Sequence, residues 1–186
     1  EAVESVMTCM EQAYDEIASH CGFICRGCEE SCCRTLFYHH TYAEFMFLEV
    51  GLKSLRKQDL EQVLERAVAV QTGLDEVLGG SAVGPPRAMC PLNQSGRCLL
   101  YAHRPMICRL HGIPNTLRRP DGRILTGPGC DDYYLQCGSA DGAPLDRTPL
   151  YAAMADIERR LRDRLGFNSK IKLTVARMIL EDSVAL

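Results

Sequence analysis

A chain of 186 residues with 46% hydrophobic and 24% charged content fits one soluble globular domain with an apolar core of its own. Its net charge of -3 gives no general attraction to nucleic acid or to an anionic membrane, and no apolar run approaches the ~20 residues of a bilayer span. The acidic start, Glu1-Ala2-Val3-Glu4, is unlike a secretion signal, so the cytoplasm is the expected compartment.

Residues 3–18 predict an amphipathic helix, with Val3, Met7, Met10, Tyr14 and Ile17 on one face. Helical periodicity then stops from about Cys21 to Arg34. Thr41-x-x-Glu44 has the form of a capping box before an apolar run, and Gly51 predicts the end of that helix. Leu60, Leu64, Ala67, Leu74 and Leu78 mark a longer helix ending at Gly79-Gly80, and Gly79 to Pro86 reads as a linker. From there to about Pro149 no long helical pattern occurs. Turn signals at Asn93-Gln94-Ser95-Gly96 and Pro120-Asp121-Gly122 predict two hairpins, the second pairing Leu117–Arg119 with Arg123–Leu125.

Thr148-Pro149 opens a further helix with Leu150, Met154, Ile157, Leu161 and Leu165 on its apolar face and Gly166 at its end. Lys170–Val184 carries two periods. Ile171, Leu173 and Val175 alternate as in a strand, whereas Leu173, Ala176, Leu180 and Val184 fit a helix over the whole segment. These stripes are read as core packing. The expected fold class is mainly α: a single helical domain around an irregular cysteine-rich metal-binding centre with short β-hairpins. It would span residues 1–186, with helical flanks at 1–20 and 148–186.

Chemistry is concentrated in the cysteines. Of eleven, eight fall into two sets: the run Cys25-x2-Cys28-x3-Cys32-Cys33, and the wider series Cys90, Cys98, Cys108 and Cys130. The odd total, the adjacent pair and a reducing compartment argue against a disulfide frame. Cys25-x2-Cys28 is a knuckle spacing that lets two thiolates reach one ion. Adjacent cysteines point in different directions, so Cys32 and Cys33 more easily serve different metals. Eight thiolates match two four-sulfur sites, and soft sulfur selects zinc or an iron–sulfur cluster over magnesium and calcium. Arg26, Arg34, Arg97 and Arg109 flank these cysteines with Arg104 near by, placed either to favour thiolates or as solvated loop residues. Arg104 and Arg109 suit either an anion clamp or hydrogen bonds to loop carbonyls.

Other signals are weaker. Cys21-x3-Cys25-x2-Cys28 has the spacing of a radical S-adenosylmethionine triad, but Gly27 stands where an aromatic is usual and no barrel periodicity is present. The pair His39-His40 reads as surface histidines in a polar turn rather than acid–base groups. The arginines at 159–164 alternate with acids as on a solvated helix face. No metalloprotease, hydrolase or phosphate-loop motif occurs.

With both sets in hand, the chain resembles the YkgJ-like CxxCxxCC cysteine-cluster family of bacteria and archaea, which is credited with chelating zinc or iron. The resemblance lies in the doublet Cys32-Cys33, in Thr41-x-x-Glu44, and in the ordered string Cys90-Pro91-Leu92, Gly96-Arg97-Cys98, Leu100-Tyr101, Arg104-Pro105-Met106-Ile107-Cys108-Arg109-Leu110 and Gly129-Cys130. The family-like core covers about 21–137. Three residues, Glu29-Glu30-Ser31, precede the doublet where the family has two. Cys108-x2-His111 has the spacing of a ligand pair, but His111 replaces a common aromatic of the family, which favours packing or support of a ligand. Cys9, Cys21 and Cys137 lie outside the matched set and are expected to be ordinary thiols. The resemblance implies metal binding and little more. The reading preferred here is zinc first, or an iron–sulfur cluster, in a structural or accessory protein that binds or assists an unidentified protein partner. The alternative it leaves is an iron–sulfur enzyme, redox or methyl-transferring. No nucleic-acid or membrane partner is implied.

Overall fold

The computed structural model describes residues 1–28, 31–80, 88–138 and 144–183. Helices dominate the described residues, as the apolar periodicity predicts. The chain divides into two compact units: Glu1–Cys32 with Met106–Asn168, and Cys33–Pro105 with Ser169–Leu186.

The first unit is built on α1 (Ala2–Cys21) and α6 (Thr148–Leu165), which pack together, and α1 also packs against the short α4 (Met106–Leu110). The α1 stripe buries Met7 and Met10, and α6 contributes Met154. Each fully buried apolar side chain of this size contributes about 1.5–3 kcal/mol of transfer free energy. Both long helices end on a left-handed glycine, Gly22 at φ 73° and Gly166 at φ 69°, a conformation that costs glycine little. A three-stranded sheet has the order β4-β3-β5: β3 (Asn115–Arg118) pairs antiparallel with β4 (Ile124–Gly127) and parallel with β5 (Leu145–Asp146). Leu117 lies opposite Leu125 and Arg119 N–H donates to Arg123 O at 2.8 Å, the register expected from Pro120-Asp121-Gly122. The parallel β5 and the seven-residue α5 (Asp131–Cys137) have no counterpart in the sequence expectation.

In the second unit α2 (Tyr42–Lys53), α3 (Lys57–Leu78) and α7 (Val175–Ser183) surround a core of Leu48, Leu52, Val63, Ala67, Leu92, Leu100, Met178 and Ile179. Thr41 caps α2: its Oγ1 accepts from Glu44 N–H at 3.2 Å and donates to Glu44 Oε2 at 2.7 Å. The segment 170–184 resolves its own ambiguity by dividing. Leu173 is extended and bridges His39, and α7 begins two residues later. The hairpin of β1 (Asn93–Gln94) and β2 (Arg97–Cys98) turns on Ser95 and Gly96, both with positive φ as a tight two-residue turn requires. Of the expected linker, residues 81–86 lie outside the described residues, as does Val184.

Gly51 does not stop α2. The helix continues to Lys53, and Gly51 is buried because a single 3-10 turn at Tyr101–His103 crosses it; a Cβ there would lie 2.7 Å from His103 Cβ. The close approach, not the helix end, is what requires glycine. Gly51→Ala is therefore expected to destabilise the protein by about 1–3 kcal/mol, read as a lowered urea midpoint. An unchanged midpoint would mean that the turn moves away at no cost.

Candidate metal centre

The first unit carries Cys25, Cys28, Cys32, Cys108 and Cys130, and the second carries Cys33, Cys90 and Cys98. The early run and the later series thus each have members in both units.

In the first unit, the chain leaves α1 by a tight turn in which Phe23 N–H donates to Ala18 O at 2.8 Å. It then runs beside α5, where Gln136 accepts from Ile24 N–H and donates to Ile24 O, both at 3.0 Å. Phe23 is buried against Tyr133, with ring centroids 5.1 Å apart. These contacts place Cys25 in the open and Cys28 half-buried. Cys130, the N-cap of α5, is buried, and its N–H donates to Gly112 O at 3.0 Å. Gly112 has φ 101°, which disfavours any side chain, and its backbone passes close to the Cys130 sulfur.

The Cys28 and Cys130 thiols are hydrogen-bonded neighbours. Burial holds the Cys130 thiol above its ordinary pKa and the adjacent Cys28 sulfur adds to this, while the backbone N–H groups of Tyr133 and Asp132 act in the opposite direction. Cys108 is half-buried on α4. That short helix is fixed by its neighbours: the buried Arg109 pairs with Glu11 of α1, and the buried Arg147 donates to Leu110 O. Arg109 thus serves an internal ion pair. His111 is half-buried in the turn after α4.

In the second unit, Cys33 and Cys90 meet through the backbone, Cys90 N–H donating to Cys33 O at 2.7 Å. Asn93 N–H returns to Cys90 O at 2.9 Å, and Asn93 stands opposite Cys98 in the β1–β2 hairpin. Arg66 of α3 anchors the start of this loop by donating to Pro91 O at 2.8 Å, and Cys90 and Cys98 both pack against the apolar core. Arg104 stacks 3.8 Å over the Tyr101 ring, whereas Arg26, Arg34 and Arg97 are exposed.

Two expectations are corrected. Cys21 and Cys137 are not ordinary thiols: they form a disulfide joining the C-terminal ends of α1 and α5, with Cα atoms 5.4 Å apart. An odd cysteine total and an adjacent pair disfavour a frame of several bonds, but both are compatible with one bond between residues far apart in sequence. Cys9 is free and exposed. Nor are both members of His39-His40 on the surface. His40 is exposed, but His39 is 2% exposed, with Nδ1 3.6 Å from Glu44 Oε1 and Nε2 without a hydrogen-bond partner. Its burial goes with its pairing to Leu173, a contact that nothing in the sequence signals.

Among the described residues, no three His, Cys, Asp or Glu side chains converge into a ready cage for an ion. The sulfurs shown together are a pair, Cys28 and Cys130, and thiol donors suit a soft ion such as zinc or iron and not a hard cation. Fold and sequence together define a mainly helical, cysteine-rich protein. Residues 24–120 match the family described as "CxxCxxCC: Putative zinc- or iron-chelating domain", and with half of the chain covered the protein belongs to that family. No curated protein and no solved structure matches it. Among the described residues, no helix is long and apolar enough to cross a membrane.

Proposed function

We propose that the protein binds zinc through cysteine thiolates and uses it structurally, in an accessory role toward a protein partner. Cys25, Cys28, Cys32, Cys33, Cys90, Cys98, Cys108 and Cys130 are the ligands. The observation that carries this reading is the paired Cys28 and Cys130 thiols. Two sulfurs from distant segments, one of them buried, are costly to bring together as thiolates unless a cation lies between them. Zinc would supply that charge and cross-link the loops. A site closed by four thiolates leaves no open coordination position, so no catalytic step follows from it.

The radical reading loses support because Cys21 is bonded to Cys137 and offers no thiolate. Analysis of the full chain, purified without oxygen, for zinc, iron and acid-labile sulfide tests the zinc reading. The expected result is about two zinc per chain, as two four-thiolate sites require, with no sulfide. A stoichiometric brown chromophore carrying iron and sulfide would overturn the zinc assignment and favour an electron-transfer or other iron–sulfur function.

A further inference from the structure

Resting on that reading of the thiols as metal ligands, we propose that the two cysteine sets are interleaved. Cys28 and Cys130 hold one ion, and Cys33 holds the other with Cys90 and Cys98. Each ion would then take ligands from both the early run and the later series.

Four observations support this grouping. The Cys28 thiol is hydrogen-bonded to the thiol of Cys130, a residue from the other set. Cys33 is tied by its carbonyl to Cys90, again from the other set. The hairpin then brings Cys98 back beside the Cys90 turn, through Asn93. Each observed pair also lies within a single compact unit, Cys28 with Cys130 in the first and Cys33 with Cys90 in the second.

Side-chain direction explains why the run divides. Residues 32–34 form a turn, and neighbouring side chains on a helical turn diverge by about 100°. A doublet therefore offers its sulfurs to two different places more readily than to one tetrahedron. Interleaving also closes larger loops than local sets would, and the loop from Cys33 to Cys90 is nested inside the loop from Cys28 to Cys130. One segment of the second unit, Cys33–Pro105, likewise lies between the two segments of the first. Cross-links that close long loops remove more chain entropy from the unfolded state than local ones.

Cobalt(II) loading of the full chain without oxygen distinguishes the two groupings, with bound metal counted and thiolate-to-cobalt absorbance recorded. The double variant Cys28→Ala/Cys130→Ala should lose one ion and keep the other, as should Cys33→Ala/Cys90→Ala. The variant Cys28→Ala/Cys33→Ala should lose both. The reverse pattern would overturn interleaving, because it is what two local sets require. Should a variant fail to fold, dibromobimane cross-linking of the metal-free natural chain, followed by peptide mapping, decides without any substitution. Links of Cys28 to Cys130 and of Cys33 to Cys90 support the grouping, and links confined to residues 25–33 and to residues 90–130 overturn it. Failure of the natural chain to bind either cobalt or zinc would instead overturn the metal-binding reading itself, whatever the cross-links show.

Discussion

Stripping the bound ions from the folded protein is expected to lower its melting temperature by roughly 10–20 °C. The magnitude follows from what metal and packing each stabilise. Structural zinc contributes about 10–16 kcal/mol in peptides that have no other core. Here the second unit has Leu48, Leu52, Val63, Met178 and Ile179 packed on their own account, so part of the structure survives without metal. The cysteine-bearing loops have less to hold them. The hairpin β1–β2 is two residues on each side, and α4 spans five. Far-UV circular dichroism should therefore stay largely helical, while amide exchange accelerates around the short β1–β2 hairpin and α4. Unchanged melting after metal removal verified by elemental analysis would show that these loops need no ion.

Much of the fold is legible in the sequence, for identifiable reasons. The helices α1, α3 and α6 are long enough for the 3.6-residue period to repeat, and two of them end on glycines whose left-handed conformation is observed. Hairpin turns are legible because Ser95-Gly96 and Asp121-Gly122 have a local chemistry that fixes the turn, and with it the register. Legibility fails where a residue answers to a distant partner. Gly51 has the sequence appearance of a helix stop, yet it makes room for His103, which lies far along the chain. The strand β5 is two residues long and exists only because β3 offers an edge. Likewise α5, at seven residues, is too short for a period and is held by Phe23, Gln136 and the bond to Cys21.

The candidate site divides in the same way. Residue type is legible: sulfur in this number points to soft metals before any fold is known. Grouping is not, because spacing ranks cysteines by distance along the chain whereas ligation depends on distance in space. Cys28 lies closer in sequence to Cys33 than to Cys130, yet it is the Cys130 thiol that it meets. The buried Arg109 shows the same limit. Its place beside Cys108 suggested an anion or the metal loop, but Glu11, from the other end of the first unit's sequence, is its partner.

Replacing both bonded cysteines, Cys21→Ser with Cys137→Ser, is expected to cost about 2–4 kcal/mol, or roughly 4–16 °C in melting temperature for a chain of this size. The cysteines are 116 residues apart, so the bond restricts a large part of the unfolded chain, and the entropic gain is greatest for such long loops. Removing both sulfurs avoids leaving one thiol able to exchange with Cys25 or Cys28 a few residues away. Its effect should be local. Gln136 and Ile24 keep their paired hydrogen bonds only while α5 stays docked, so exchange at Ile24 N–H should accelerate far more than exchange in α3. The natural chain should melt lower in excess dithiothreitol and the double variant should not respond, provided that metal content is held equal. The same bond tests the cytoplasmic location expected from the sequence, since a reducing compartment acts against it. Thiol blocking at the moment of lysis, followed by mass analysis of the Cys21 and Cys137 peptides, reads its state in the cell. A fully formed bond would count against the cytoplasm, whereas two blocked thiols would favour it and make the bond a feature of the oxidised protein.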